Sequence, residues 1–192
     1  MGEYWKRAVN YAKKVKEGKI PACTYTRKAA ERFLTDIDSK KYKVKREKVA
    51  EVCLFIENLN LNDLGTSKKF KLEDWQVFII ANIYGFYRKD GKRRFNYAYI
   101  EIPRKNGKSE LVTALATYHF LFDDEAFITV SANSREQAKN TDFRKIKAFC
   151  HQLDPAEKEL IPYFNSVVFG NNTVIVTSAD SKRLDGLTVQ PQ

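Results

Sequence analysis

Residues 96–122 read NYAYIEIPRKNGKSELVTALATYHFLF, and the fold turns on how this stretch divides. Tyr97–Ile102 is a short run dense in Tyr and Ile, the composition of a buried strand. Pro103, with no N–H to give a sheet ladder, ends it. A basic loop follows, Arg104-Lys105-Asn106-Gly107-Lys108-Ser109. Then Leu111, Ala114, Leu115, Tyr118 and Phe122 recur at helical spacing. The order strand, tight basic loop, helix predicts an α/β unit that carries its chemistry where the helix begins.

Gly107-Lys108-Ser109 has the form of the end of a phosphate-binding loop, G-x-x-x-x-G-K-[ST]. Backbone N–H groups at a helix N-terminus point at an anion, and the helix dipole favours negative charge there. In such a loop Gly107 lets the backbone approach the phosphates, Lys108 reaches the β and γ oxygens, and the Ser109 hydroxyl can ligate Mg²⁺. Ile102 stands where the first glycine of the pattern belongs. The bare triplet recurs by chance, and a basic surface turn is the alternative. A strand before it and an amphipathic helix after it are the context the motif requires.

Upstream, Leu72-Glu73-Asp74-Trp75-Gln76 opens a helix continued by Phe78, Ile79, Ile83 and Phe86, with acidic residues in its first turn where they suit the dipole. Trp75-Gln76 has two readings. One is a core tryptophan beside a surface glutamine. The other is a nucleotide-base clamp, because the Gln76 amide both donates and accepts as an adenine edge requires. Asp90-Gly91 marks a turn. Nearer the N-terminus, three helical stripes appear: Tyr4, Trp5, Ala8, Val9, Ala12 and Val15, closed by Gly18; Ala29, Ala30, Phe33, Leu34 and Ile37; and Val49, Val52, Cys53, Ile56 and Leu59. The basic run Lys40–Arg46 lies between the second and third, either solvated surface or a contact for a phosphate backbone. Residues 1–64 therefore read as an N-terminal helical region.

Downstream, Ala126–Ala132 is a second strand, and Ser134 stands three residues before Gln137, the capping-box spacing. Phe143, Ile146, Phe149, Cys150 and Leu153 line the next helix. Ser166–Phe169 and Thr173–Ser178, separated by Gly170-Asn171-Asn172, predict a hairpin. A polar loop with Arg183 and Asp185-Gly186 closes the chain. Strand–helix–strand–helix order implies parallel strands with a right-handed crossover. The expected fold class is α/β: a P-loop NTPase-type parallel sheet flanked by helices over residues 65–192, incomplete, with the helical region as an appendage.

The 192 residues carry a net charge of +10, with a pI near 9.4, which favours an acidic partner. No apolar run has transmembrane length, so nucleic acid fits better than a bilayer. Cys23, Cys53 and Cys150 are widely spaced and odd in number, which argues against a disulfide framework or zinc site and suits a reducing cytoplasm. The N-terminus lacks the apolar core of a signal peptide.

A loop that hydrolyses ATP needs a second acidic site to hold Mg²⁺ and position water. The one Asp-rich match follows Phe120-Leu121-Phe122, at Asp123-Asp124-Glu125. A helix beginning at Ser109 rises about 1.5 Å per residue, which puts these acids roughly 20 Å from the phosphates. They are rejected for that role, and the expectation is a nucleotide cradle without its hydrolytic partner.

Leu72-Glu73-Asp74-Trp75-Gln76, Pro103–Ser109, Ser131-Ala132 with Arg135-Glu136-Gln137-Ala138, and Ser178-Ala179-Asp180 with Leu184-Asp185-Gly186-Leu187 together resemble the large terminase subunit of tailed bacteriophages. That protein is the ATPase and nuclease of a DNA-packaging motor, and its phosphate loop also lacks the first glycine. The resemblance covers essentially the whole chain and implies that Gln76 recognises adenine. It implies too that Arg104, Lys105, Asn106, Gly107, Lys108 and Ser109 form the phosphate loop, that Lys108 and Arg104 serve catalysis, and that an arginine finger lies near the last loop, with Arg183 as its candidate. ATP and Mg²⁺ are the implied cofactors, with Ser109 as metal ligand. Double-stranded DNA, a small terminase subunit and a portal or procapsid are the implied partners, in an oligomeric ring in the host cytoplasm. The family's Asp-Glu strand, coupling motif and nuclease domain are not recognised here, so the likeness is to an N-terminal part. The alternatives are a non-catalytic DNA- or protein-binding module and a helicase-type P-loop ATPase; a kinase fits less well, since its loop more often lies near the N-terminus.

Overall fold

The computed structural model describes residues 2–63, 66–132 and 134–178. The expected closing loop from Ala179 onward, with Arg183, lies outside the described residues. In chain order the elements begin with α1 (Glu3–Lys16), α2 (Thr24–Asp38), β1 (Lys43–Val44), α3 (Arg46–Asn58), β2 (Asn60–Asp63) and β3 (Thr66–Lys69). Next come α4 (Asp74–Tyr84), β4 (Phe86–Tyr87), α5 (Lys108–Phe122) and β5 (Phe127–Ala132). The last are α6 (Arg135–Ala138), a π-helical turn (Lys139–Phe143), α7 (Arg144–Leu153), β6 (Ile161–Pro162), β7 (Ser166–Phe169) and β8 (Asn172–Ser178). The chain forms two compact units, one of Met1–Asn58 with Lys69–Ile102, the other of Leu59–Lys68 with Pro103–Gln192.

The first unit is helical, and the expected stripes build it. Trp5, Ala8, Ala12 and Val15 are buried along α1, which packs on α2 and α4. Gly18, at φ +74, ends α1: its N–H bonds the Val15 carbonyl while the Lys19 N–H reaches Lys14, the paired bonds of a Schellman stop. Phe33 sits at the centre, its ring 5.4 Å from Trp5, 5.2 Å from Phe78 and 5.4 Å from Phe86. Polar groups fix where α4 begins: the Glu57 carboxylate accepts from the Tyr4 hydroxyl and the Leu72 N–H, and Arg7 donates to Asp74 and the Leu72 carbonyl. The helical unit thus extends past residue 64 to take in α4 and the following segment to Ile102.

The second unit holds a four-stranded mixed sheet in the order β5-β8-β7-β6. β5 and β8 are parallel, Phe127 opposite Thr173 through Ala132 opposite Ser178. The predicted hairpin joins β7 and β8, antiparallel, with Gly170 at φ +54, where the tight turn needs left-handed backbone. Phe120, Phe143, Ile146, Cys150, Val167, Val174 and Val176 form the core between sheet and helices. Asn172 ties the end of α5 to this sheet: its amide donates to the carbonyls of Phe120 and Asp123 and accepts from the Ala126 N–H.

Two expectations are corrected. Tyr97–Ile102 is not a strand, because among the described residues it finds no ladder partner. It keeps a strand-like alternation, with Ile100 and Ile102 half-buried, but Tyr97 and Tyr99 are 94% and 88% exposed, so their face has nothing to pack on. The sheet is accordingly mixed rather than parallel: β5 and β8 make its single parallel pair among the described residues, and the hairpin supplies the antiparallel part.

Candidate functional site

The basic loop is shaped by two residues in left-handed backbone. Gly107 has φ +71, a conformation that costs glycine nothing. Lys105 has φ +65, which a residue with a Cβ adopts rarely and at a cost of roughly 1 kcal/mol. Asn106 holds the turn closed by donating its amide to the carbonyls of Pro103 and Arg104. α5 starts at Lys108 with Gly107 as its N-cap, and no side chain caps it. The N–H groups of a first helical turn have no partner within the helix. Here they open onto a loop whose Arg104, Lys105 and Lys108 are exposed and form no ion pair among the described residues. Ser109 is half-buried beside them.

α5 itself is packed on most of its circumference, with Leu111, Ala114, Leu115, Tyr118 and Phe120 buried, whereas Phe122 of the predicted stripe is exposed. Two buried threonines stay satisfied by bonding back into the helix. Thr113 donates to the carbonyls of Ser109 and Glu110, and Thr117 donates to that of Thr113. The loop therefore ends on a rigid support.

Glu110, in the first turn of α5, is bonded by Lys145 of α7. Burial acts to raise the Glu110 carboxyl, but the Lys145 ammonium and the Glu110 N–H outweigh it and hold it below its ordinary value of 4.5. A depressed carboxyl contributes stability that is complete above the unfolded-state value and is lost as pH falls through the lower folded-state value. Glu110→Gln is therefore expected to lower the melting temperature by an amount constant at neutral pH that shrinks below about pH 4.5. Melting curves of both proteins from pH 7 to 3 check this; a difference that persists unchanged at pH 3 counts against the pair.

Of the site residues predicted from sequence, the second unit brings together Arg104, Lys105, Asn106, Gly107, Lys108 and Ser109 at one helix start. Gln76 lies in the first unit. It is 4% exposed, and its carbonyl accepts from the Glu73 N–H while Glu73 caps the same helix, so the pair forms a capping box. The sequence signal was Glu73-x-x-Gln76, with glutamate where serine or threonine is usual. Trp75 is only half-buried, the reverse of a buried tryptophan beside a surface glutamine. Asp123 is the C-cap of α5, at the opposite end from the loop, and bonds His119. Lys145 had no sequence signal, since it lies thirty-five residues from Glu110. Cys53 and Cys150 are buried thiols, each pushed up to about 12 by burial. No group of three or more His, Cys, Asp or Glu side chains is placed to hold a metal among the described residues. No described helix is long and apolar enough to cross a membrane.

An uncapped helix start after a glycine-turned basic loop, in a unit that packs helices on a mixed sheet, describes an α/β domain with a cationic turn at a helix N-terminus. The profile of the family described as the terminase large subunit, ATPase domain, matches residues 74–182, more than half of the chain, and the chain belongs to that family. No curated protein and no solved structure matches it.

Proposed function

We propose that the chain binds ATP·Mg²⁺ at Pro103–Ser109 and belongs to a motor that drives double-stranded DNA into a viral procapsid. One observation carries the nucleotide assignment. The left-handed pair Lys105 and Gly107 turns the chain into an uncapped helix start that carries three exposed cations, none of them in an ion pair among the described residues. That donor set suits a polyphosphate: backbone N–H groups for its oxygens, Lys108 for the β and γ charge, Arg104 and Lys105 flanking, and a hydroxyl on Ser109 for the metal. Bound ATP would supply the phosphoryl group whose transfer to water does the work. Lys108 and Arg104 would stabilise charge on that group, and Asn106 would keep the loop closed around it. Gln76 as adenine reader and Arg183 as arginine finger belong to the same reading, as do a small terminase subunit, a portal, a ring of copies and the host cytoplasm. Membership of the terminase ATPase family supports the ATPase role and implies DNA and packaging partners.

Titration calorimetry of the chain with ATP at graded Mg²⁺ tests the proposal. Ser109→Ala is expected to raise the Mg²⁺ needed for half-maximal binding about 10-fold, the loss of one metal ligand. A wild-type chain that takes up no ATP would overturn the assignment.

A further inference from the structure

We propose that the first unit carries a docking surface for the phosphate backbone of duplex DNA, built on the β1–β4 ladder and the turn that follows it. Five of the seven residues 40–46 and five of the nine residues 86–94 are lysine or arginine, and Asp90 is the one acid among them. The two runs are far apart in sequence, but the fold lays them side by side. Lys43 pairs with Tyr87 and Val44 with Phe86, and Tyr87 is bridged in turn to Arg93. Lys40, Lys41, Lys43, Arg88, Lys89 and Lys92 are all exposed on the result. All but Lys92 line an open hollow of about 390 Å³. Arg88 engages Asp90; the five lysines form no ion pair among the described residues.

The frame under these cations is fixed by backbone bonds. Lys45 N–H donates to Gly85, Arg94 to Phe86 and Arg88 to Lys92. The Ser39 hydroxyl accepts from the Lys41 N–H and bonds the Asp36 carbonyl, setting the turn that holds Lys40 at φ +52. Arg94 makes a buried ion pair with Asp36 behind the surface. Cations on a fixed frame lose less freedom on binding than cations on a loose loop, so this surface is pre-organised for an extended polyanion.

The aromatic rings tell which polyanion. Single-strand binders offer open ring faces on which bases stack. Here Tyr42 has Arg94 over its ring at 4.3 Å, and Tyr87 has Lys45 at 3.8 Å. With a cation over each ring and Tyr87 buried, charge is what the surface chiefly offers, and a duplex backbone is the partner read by charge alone. The choice of duplex DNA rests on the packaging reading above; the surface itself does not.

The test measures binding of the full 192-residue chain to a fluorescent 30-base-pair duplex of arbitrary sequence, across a salt series. The surface variant replaces Lys41, Lys43, Lys89 and Lys92 by glutamine. A control variant removes the same charge from Lys13, Lys14, Lys16 and Lys28, exposed on α1 and α2. The surface variant is expected to bind at least about 30-fold more weakly at roughly 100 mM salt, with a log–log salt slope shallower by about 3 to 4. The control is expected to stay within about 3-fold of wild type. Equal losses in both variants, or none in the surface variant, overturn the proposal. So does a loss confined to phosphatidylserine vesicles with duplex binding intact. Hydrogen exchange on the wild-type chain is independent of any variant's folding: the duplex should protect residues 40–46 and 86–94, and protection only elsewhere overturns the proposal. ATP binding by the wild type, measured in parallel, separates the two readings, since its absence would sink the ATPase assignment and leave the DNA result to stand.

Discussion

Lys108→Ala is expected to weaken ATP binding at least about 100-fold, roughly 3 kcal/mol, the upper range for charge-assisted hydrogen bonds to one group. Lys108 is the first residue of α5, directly after the left-handed Gly107, so its position relative to the first-turn N–H groups is set by the helix. Arg104 and Lys105 lie before that point, on the exposed turn, and are expected to compensate only in part. The substitution should leave the fold intact, because Lys108 is exposed and has no ion-pair partner among the described residues. Calorimetry with ATP·Mg²⁺ on both proteins, with matched melting curves, decides the matter. Equal affinities would mean that the anion, if one binds, sits elsewhere.

The largest effect on stability is expected at Gly85, which caps α4 in ordinary right-handed helical backbone. Alanine tolerates that conformation better than glycine, so propensity alone predicts a gain. Space decides otherwise. A Cβ at Gly85 would lie 2.4 Å from the Ala81 carbonyl oxygen and 2.7 Å from the Trp5 ring, and neither a helix carbonyl nor a ring held against Phe33 and Phe86 yields readily. Gly85→Ala should cost about 2–3 kcal/mol, the upper part of the range for forcing atoms into a packed core. Gly91→Ala is the informative comparison. Its φ of +81 strains any L side chain, but its Cβ would meet nothing within 4 Å, and about 1 kcal/mol is expected. Urea unfolding of both variants ranks them, and a Gly85→Ala chain as stable as wild type would contradict the packing around Trp5.

The helices were legible because burial repeats with their period: Trp5, Ala8, Ala12 and Val15 mark α1 whatever else surrounds it. The hairpin was legible because Gly170 supplies the backbone its turn requires. Tyr97–Ile102 misled because composition reports what a strand would contain, not whether a neighbour exists to complete its ladder. The split into units was hidden for a related reason. Lys69–Ile102 joins the helical unit, with Arg7, Glu57 and Leu72 making polar contacts between distant positions that no local pattern signals. At the site, the glycine turn and the helix start at Lys108 could be read directly, whereas the Glu110–Lys145 pair could not. The π-helical turn before α7 was equally unreadable, since one widened turn leaves no mark on apolar spacing as short as that from Phe143 to Ile146.

Asn172 has a mechanical consequence. α5 is a strut about 22 Å long by its fifteen residues. Its far end is pinned to the sheet by two hydrogen bonds from that one side chain, which also accepts from Ala126 just before β5. Its first turn is braced by α7 through the Glu110–Lys145 pair. A strut held at both ends moves as one piece, so displacement along its axis falls on the turn from Arg104 to Gly107, just outside the braced length. That turn already holds Lys105 in left-handed backbone, so a push along the strut would meet a residue that is strained before it moves.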